Sequence, residues 1–187
     1  LEELGLETGR YILLSAHREE NIDIEENFIA LMNAVNAMAK MYDMPVLYSC
    51  HPRSKKYIKE RGFIFDKRVI QHSPLGFFDY NKLQQNAFCV VSDSGTLPEE
   101  GAFFSFPAVS IRTSTERPEA MDKGVFIIGS ITTEQVLQAV NLAVSMHDNG
   151  DDGVDVPAYL DGNVSTKVIK IIQSYVGIIN KMVWKKG

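Results

Sequence analysis

Histidine, arginine and aspartate side chains follow short apolar runs at several points of this chain of 187 residues. Imidazole, guanidinium and carboxylate groups are the ones that transfer protons and bind anions in protein sites. If the apolar runs are parallel strands, their carboxyl ends meet at one edge of a sheet, where open α/β sheets bind ligands. The sequence therefore predicts one crevice formed by these polar strand ends. They are His17 with Arg18, His51, His72 with Ser73, Asp93 with Ser94, and Arg112 followed by Arg117.

The most informative stretch runs from Phe88 to Glu119. An apolar run is followed there by Ser92-Asp93-Ser94-Gly95-Thr96 and then by a helical pattern. This order predicts a buried strand, a tight turn and a helix N-terminus. Backbone N–H groups in such a turn bind phosphate oxygens. We therefore expect Ser94 and Gly95 to bind a phosphate group.

Two glutamates in the first turn of this helix receive different interpretations. The segment Thr96-Leu97-Pro98-Glu99 matches a capping box, which predicts a structural role for Glu99. Glu100 has no such explanation, and its charge would repel a phosphate placed against it. We expect Glu100 to bind a neutral diol such as a ribose, so the stretch predicts a nucleotide site.

Two arginines follow the next apolar run. Arg117 is predicted to neutralise a diphosphate through charge-assisted hydrogen bonds. For Arg112, that role and a surface ion pair with Glu116 or Glu119 are equally open.

The four histidines also differ. A histidine after a strand is more often structural than catalytic, but four polar residues follow His17 directly, and we interpret it as functional. His51 precedes a proline, so anchoring a turn is as plausible as binding a ligand. We interpret His72 as structural and His147 as a solvent-facing residue near a helix end.

Strand-like and helical patterns alternate along the chain and predict its fold. Buried strands of this kind, without polar alternation, form parallel sheets covered on both faces. We predict an α/β fold, a doubly wound parallel sheet of the Rossmann-like type, in one domain over residues 1–187. The strands are predicted at 11–16, 45–50, 69–71, 88–91, 107–111 and 125–128. The helices are predicted at 27–41, 55–60, 79–86, from 98 onward, 118–123, 133–147 with Thr132 as N-cap, and 165–184.

Composition excludes several classes of protein. Apolar residues make up 45% and charged residues 23%, which is ordinary for a globular domain. The net charge of -5 argues against nucleic acid as a partner. No apolar run has transmembrane length and no signal peptide is present, so no membrane partner is expected. Cys50 and Cys89 lie in apolar runs, which favours reduced core thiols and a cytoplasmic protein. Because the chain opens at Leu1 without a methionine, we expect a piece of a longer protein.

With these residues in hand, the chain resembles the non-hydrolysing UDP-N-acetylglucosamine 2-epimerases. The resemblance implies the carboxyl-terminal half of a two-domain fold like that of glycosyltransferase-B proteins, with UDP bound to residues 1–187 and the catalytic amino-terminal domain absent. The matching blocks follow the family order through nearly the whole chain. They are SAHREEN at 15–21, His51-Pro52, Pro74-Leu75-Gly76, SDSGTLPEE at 92–100, RTSTERPE at 112–119 and YLDGNVS at 159–165.

The family's site residues carry over to matching positions of this chain. The resemblance implies UDP binding by five residues and an active-site position for His17. The five are Tyr80 against the uracil, Ser94 and Gly95 at the phosphates, Glu100 at the ribose, and Arg117 at the diphosphate.

The implied reaction inverts C2 of a UDP-2-acetamido sugar. UDP is eliminated to leave a 2-acetamidoglycal, and it adds back after a proton returns to the other face. The resemblance implies no cofactor and no metal, a homodimer when the protein is full length, and a role in surface polysaccharide precursor synthesis. The family's acid/base carboxylates lie in the amino-terminal domain, so we expect this chain alone to be inactive.

Several alternatives stay open from the sequence. Thr96 stands where many family members have a second glycine, which resembles the branch acting on UDP-2-acetamido-2,6-dideoxy-L-talose, whereas Thr115 completes the TERPE spelling of the N-acetylglucosamine branch. A UDP-sugar-dependent glycosyltransferase and a binding-only regulatory domain would use the same nucleotide half. A metal hydrolase built on His17, His51 and Asp93 is disfavoured, because no HExxH or comparable ligand spacing occurs.

Overall fold

The structure is a computed structural model that describes residues 1–186. It forms two compact units, the first from Leu1 to Asp155 and the second beginning at Val156. The sheet and all predicted site residues belong to the first unit. The single domain over residues 1–187 stays a prediction.

The first unit is built on a six-stranded sheet with the order β3-β2-β1-β4-β5-β6. Every pair of neighbouring strands is parallel. This order, with its reversal between β1 and β4, is that of dinucleotide-binding doubly wound folds, and it confirms the predicted fold class. The strands are β1 (Ile12–Ser15), β2 (Val46–Ser49), β3 (Val69–His72), β4 (Cys89–Ser92), β5 (Ala108–Ser110) and β6 (Ile127–Ile128).

Helices connect the strands and cover both faces of the sheet. All predicted helices are present, and the short α1 and α8 were missed, since four residues are too few to show a helical period. The first unit contains a 3₁₀ turn (Glu2–Leu4), α1 (Glu19–Ile22), α2 (Glu25–Met41), α3 (Pro52–Glu60), α4 (Phe77–Gln84), α5 (Leu97–Phe104), α6 (Pro118–Asp122) and α7 (Thr133–Asp148). The second unit contains α8 (Pro157–Leu160) and α9 (Val164–Met182).

The core explains why the strands read as unbroken apolar runs. Side chains of β1 that point to opposite faces are all buried, as Ile12, Leu13 and Leu14 show. On one face they pack with α2 and α7, whose apolar stripes complete the main core cluster. Both cysteines are free and buried, as predicted. Burial raises the pKa of the Cys50 thiol to about 11, which keeps it protonated at neutral pH.

Helix α9 carries an apolar side that is exposed in the structure, including Ile169, Ile172 and Tyr175. Within residues 1–186, no helix is long and apolar enough to cross a membrane. Thr132 is the N-cap of α7 as predicted, but its hydroxyl donates to Gln135 Oε1 at 2.8 Å, and no cap hydrogen bond to the backbone is formed.

The loop after α7 packs tightly against the end of α6. Gly153 has a φ of +81°, and a Cβ added there would lie 2.4 Å from the carbonyl oxygen of Lys123 and 2.7 Å from the carbonyl carbon of Gly124. The next amide, Val154, donates to Lys123 O at 2.9 Å. Because the neighbouring atoms are backbone atoms that cannot rotate away, only glycine fits.

We predict that Gly153→Ala destabilises the protein more than Gly150→Ala. Gly150 has a φ of +77° with nothing within 4 Å, so both variants incur left-handed backbone strain of about 1–2 kcal/mol, but only Gly153→Ala adds overpacking of about 1–3 kcal/mol. Urea denaturation followed by circular dichroism gives both free energies of unfolding. Equal losses in the two variants would contradict the close packing at Gly153.

Candidate functional site

The predicted polar strand ends meet where the strand order reverses. Ser15 at the end of β1 pairs with Ser92 at the end of β4, and Ser92 pairs with Ser110 of β5. The loops that follow these strands carry His17 with Arg18, Asp93 with Ser94, and Arg112. Their position at the switch point of a doubly wound sheet is the one at which such folds bind ligands.

Asp93 joins the loop after β1 to the end of β4. Its side chain is fully buried, and Oδ2 accepts hydrogen bonds from the amides of His17 and Arg18 at 2.9 Å each and from Asn21 Nδ2 at 3.1 Å. Asn21 Nδ2 also donates to Ile111 O at 3.0 Å, so β5 is tied to the same loop. Asp93 therefore fixes the backbone that carries His17 and Arg18.

His17 and His51 stand side by side at the mouth of the crevice. Their ring centroids are 5.8 Å apart, and the side chain of His17 is 43% exposed. His51 is the N-cap of α3, and its Nδ1 accepts from the amide of Arg53 at 3.2 Å. The turn-anchoring role that the sequence left open for His51 is therefore present, while one ring edge of His17 stays accessible to a ligand.

The turn between β4 and α5 is held by its own hydroxyls. The amide of Ser94 donates to Ser92 Oγ at 3.0 Å, and the amide of Thr96 donates to Ser94 Oγ at 3.3 Å. The amide of Gly95 has no acceptor among the hydrogen bonds of the described residues. A Cβ added at Gly95 would lie 3.7 Å from Arg18 Nη2, so a guanidinium lies beside this turn. An N–H group and a cation thus face the same small space.

Glu100 is held in place by two neutral donors. Its Oε2 accepts from Gln84 Nε2 at 2.6 Å, and its Oε1 accepts from Thr96 Oγ1 at 3.0 Å. Neither donor is charged, and each carboxylate oxygen has a further acceptor site for hydroxyl groups.

The capping box predicted at Thr96 is wrong. Thr96 is the N-cap of α5 but makes no side-chain cap bond, since its hydroxyl is directed to Glu100. Glu99 instead accepts from Arg117 Nε at 2.5 Å, an ion pair between α5 and the N-cap of α6. Sequence spacing favoured the local partner, and the tertiary partner was not visible from it.

The two arginines have different surroundings. Arg112 is buried and donates through both terminal nitrogens to Glu116, at 2.5 and 2.6 Å. The carboxylate of Glu116 raises the pKa of Arg112. The ion-pair alternative for Arg112 is therefore present in the structure. Arg117 is 38% exposed at the start of α6, so a ligand can reach its guanidinium.

Tyr80 on α4 is half-buried, with its hydroxyl pointing inward. Burial, and to a smaller extent the charge of Glu100, raises the pKa of this hydroxyl. The nearby hydroxyls of Ser15 and Ser92 have the opposite effect and lower this pKa. Neither of them is aligned for a hydrogen bond with the Tyr80 hydroxyl. Tyr80 thus lies near Glu100, and its contact with a uracil stays a prediction.

The remaining histidines lie away from this crevice or are paired. His72 ends β3, the edge strand, and its Nδ1 lies 2.6 Å from Ser73 O, which agrees with a structural role. His147 lies in the last turn of α7 with its side chain 39% exposed, as predicted, and it also pairs with Asp152. The acidic loop after α7 supplies that partner.

Sequence reasoning missed two residues that support the site. Asn21 bridges Asp93 and Ile111, and Gln84 binds Glu100. No sequence signal marked Gln84, and none marked Asn21 beyond its polar loop. Across residues 1–186, no group of three or more His, Cys, Asp or Glu side chains is placed to hold a metal ion. The described part of the chain gives no support to the metal hydrolase alternative.

A family model described as UDP-N-acetylglucosamine 2-epimerase matches residues 1–173 of this chain. The chain belongs to the UDP-N-acetylglucosamine 2-epimerase family. A relative of that name from Methanococcus maripaludis is 32% identical over 170 residues, which are 87% of this chain and 44% of the relative.

Two solved structures share the fold. The UDP-N-acetylglucosamine 2-epimerase of Rickettsia bellii has a TM-score of 0.82 and 39% identity, covering 100% of this chain and 50% of its own. The enzyme of Methanocaldococcus jannaschii, in complex with UDP-GlcNAc and UDP, has a TM-score of 0.77 and 26% identity, covering 88% of this chain and 45% of its own. The present chain spans about half the length of these epimerases, in agreement with the predicted half of a two-domain fold like that of glycosyltransferase-B proteins.

We predict that Arg112→Lys raises the pKa of Glu116. Hydrogen bonds from the Arg112 guanidinium lower the pKa of Glu116 to about 2, and a single ammonium group cannot make both of them. Because the folded pKa lies below the unfolded value of about 4.3, this pair stabilises the fold above that pH and its contribution is lost as pH falls towards 2. Carboxyl carbon NMR titration measures the shift.

Asp66 is the matched control for this titration. Its pKa is also lowered to about 2, by hydrogen bonds from Arg68, and it makes no contact with Arg112. The pKa of Asp66 should stay unchanged in Arg112→Lys. An unchanged pKa of Glu116 would show that the bidentate pair does not hold in solution.

Proposed function

We propose that this chain is the UDP-binding half of a non-hydrolysing UDP-N-acetylglucosamine 2-epimerase. The observation that carries the proposal is the meeting of three chemically distinct groups at the switch point: an open backbone N–H at Gly95, guanidinium groups of Arg18 and Arg117, and the carboxylate of Glu100. The N–H group and the guanidinium groups suit the diphosphate of a nucleoside diphosphate, and the carboxylate suits its ribose. Membership of the epimerase family supports the same proposal.

The diphosphate is proposed to bind at the turn between β4 and α5. The amide of Gly95 supplies an N–H donor at the N-terminal end of α5, and Arg18 lies beside the turn. Arg117 reaches the same region from α6, where it is paired with Glu99. A diphosphate with two negative charges competes for that guanidinium more strongly than a single carboxylate does.

The ribose is proposed to bind Glu100. Its two carboxylate oxygens are oriented by Gln84 and Thr96, and both remain able to accept from hydroxyls. A neutral diol can approach this carboxylate without the charge repulsion that a phosphate would meet. Tyr80, near Glu100, is proposed to lie against the uracil.

The proposed reaction breaks the bond between C1 and the UDP oxygen. The C2 proton leaves to a base, the electron pair of the C2–H bond forms the glycal double bond, and UDP departs with the C1–O electrons. Re-addition of UDP to C1 and return of a proton to the opposite face of C2 complete the inversion. The N–H groups and guanidinium groups of this chain stabilise the departing diphosphate, and His17 faces the same crevice. The acid/base carboxylates are proposed to lie in a second domain.

UDP-N-acetylglucosamine is the proposed substrate because the matching family model and the named relatives carry that name. Thr96 resembles the branch that acts on the L-talose derivative, whereas Thr115 matches the N-acetylglucosamine branch. No feature of the site favours glycosyl transfer. A homodimer, a cytoplasmic location and a role in surface polysaccharide precursor synthesis belong to the same proposal.

We predict that Arg117→Ala and Glu100→Gln weaken binding to different parts of UDP. Loss of a charged hydrogen bond is worth about 1.5–3 kcal/mol, which corresponds to about 10- to 100-fold in affinity. Arg117→Ala should lower the affinity for UDP by that factor and leave the affinity for uridine unchanged, because uridine lacks the diphosphate. Glu100→Gln should weaken UDP and uridine alike. Isothermal titration of each variant with UDP and with uridine measures these four affinities.

Arg10→Ala is the control, since Arg10 precedes β1 and lies at the opposite edge of the sheet. It should bind UDP like the unchanged protein. Unchanged UDP affinity in both site variants would remove the proposed site. An equal effect of Arg117→Ala on UDP and uridine would contradict the assignment of Arg117 to the diphosphate.

A further inference from the structure

The two oxygens of the buried Asp93 carboxylate have different surroundings. Oδ2 accepts three N–H groups, from the amides of His17 and Arg18 and from Asn21 Nδ2. Oδ1 has no hydrogen bond among the described residues, although it is buried and lies 3.3 Å from His17 Nδ1. That distance suits an ion pair, but its alignment falls short of a hydrogen bond. Oδ1 is therefore an unfilled acceptor beside a ring nitrogen.

A carboxylate oxygen can only accept, and a buried acceptor without a donor is costly. His17 Nδ1 lies within reach of Oδ1 at 3.3 Å, and a small rotation of the ring would align a proton on this nitrogen with the carboxylate. A neutral imidazole carries its proton on one nitrogen, and the partner of each nitrogen decides which one. Asp93 faces Nδ1.

We propose that Asp93 is a positioning residue that holds His17 in the tautomer protonated at Nδ1. The lone pair of Nε2 is then presented to the crevice on the exposed edge of the ring. The bare Nε2 can then accept a hydrogen bond from a hydroxyl group of a ligand. Only this use of Nε2 rests on the proposed function, whereas the tautomer follows from the buried contacts alone.

His51 provides an internal control with the opposite tautomer. Its Nδ1 accepts from the amide of Arg53 at 3.2 Å, so the proton of the neutral ring must be on Nε2. The two rings are neighbours, with centroids 5.8 Å apart, and share one solvent environment. A difference between their tautomers therefore reports their individual partners.

The test is a long-range proton–nitrogen NMR spectrum of the chain with ¹⁵N-labelled histidine, recorded without ligand at alkaline pH, where imidazole is neutral. Loss of signals in His17→Gln and His51→Gln assigns the two rings. His17 should show a protonated Nδ1 and a bare Nε2, and His51 should show the reverse.

Asp93→Asn is the decisive variant. Its amide oxygen can keep the three N–H donors of the loop while its NH₂ group turns to His17, so Nδ1 becomes an acceptor and the proton moves to Nε2. The His51 signals should not change. Asn21→Ala removes an Oδ2 donor and the bond to Ile111 O but leaves Oδ1 facing His17, so it should leave the His17 tautomer as it is.

A His17 ring protonated at Nε2, or an even mixture of tautomers, in the unchanged protein would overturn the proposal. So would Asp93→Asn with an unaltered His17 tautomer. If that variant does not fold, the spectrum of the unchanged protein decides alone. Because the spectrum needs no ligand, a failure to bind UDP would count against the proposed function and leave this inference standing.

Discussion

The carboxylate of Asp93 holds together the loops on which the candidate site depends. It is buried at the end of β4, yet its three N–H donors come from the loop after β1 and from α1, which follows that loop. Burial of a carboxylate is unfavourable unless its oxygens are hydrogen-bonded, so the loop is stable in the one arrangement that supplies those donors. That arrangement places His17 in the crevice and Arg18 beside the turn at Gly95.

The cations of the crevice are already paired in the absence of a ligand. Arg112 is bound to Glu116, Arg117 to Glu99, and Arg53 to Glu19 and Asp23. A net charge of -5 gives no general attraction for anions, so binding must come from these local groups. A weak monoanion gains little by competing with the resident carboxylates. A diphosphate offers more charge and more acceptors, and this difference favours a nucleoside diphosphate over simple anions.

The sequence predicted the sheet, its parallel order and the edge at which the site lies, because buried strands and polar strand ends leave local signals. It also brought His17, Asp93, Ser94 and Gly95 into one crevice. It did not predict the partners of these residues. Glu99 was assigned to a helix cap by spacing, whereas its partner is Arg117, eighteen positions further along the chain. Such pairs depend on how α5 and α6 pack against each other, and the spacing of residues in a single sequence does not reveal that packing.

The most direct measurement of the central claim is an amide NMR titration of the ¹⁵N-labelled chain with UDP. We predict the largest shift changes at Ser94, Gly95 and Thr96, with further changes at Arg18 and Arg117. No change is expected at Arg10 and Asp43, which precede β1 and β2 at the opposite edge of the sheet. Changes confined to that opposite edge, or none at millimolar UDP, would contradict a nucleotide site at the carboxyl ends of β1, β4 and β5.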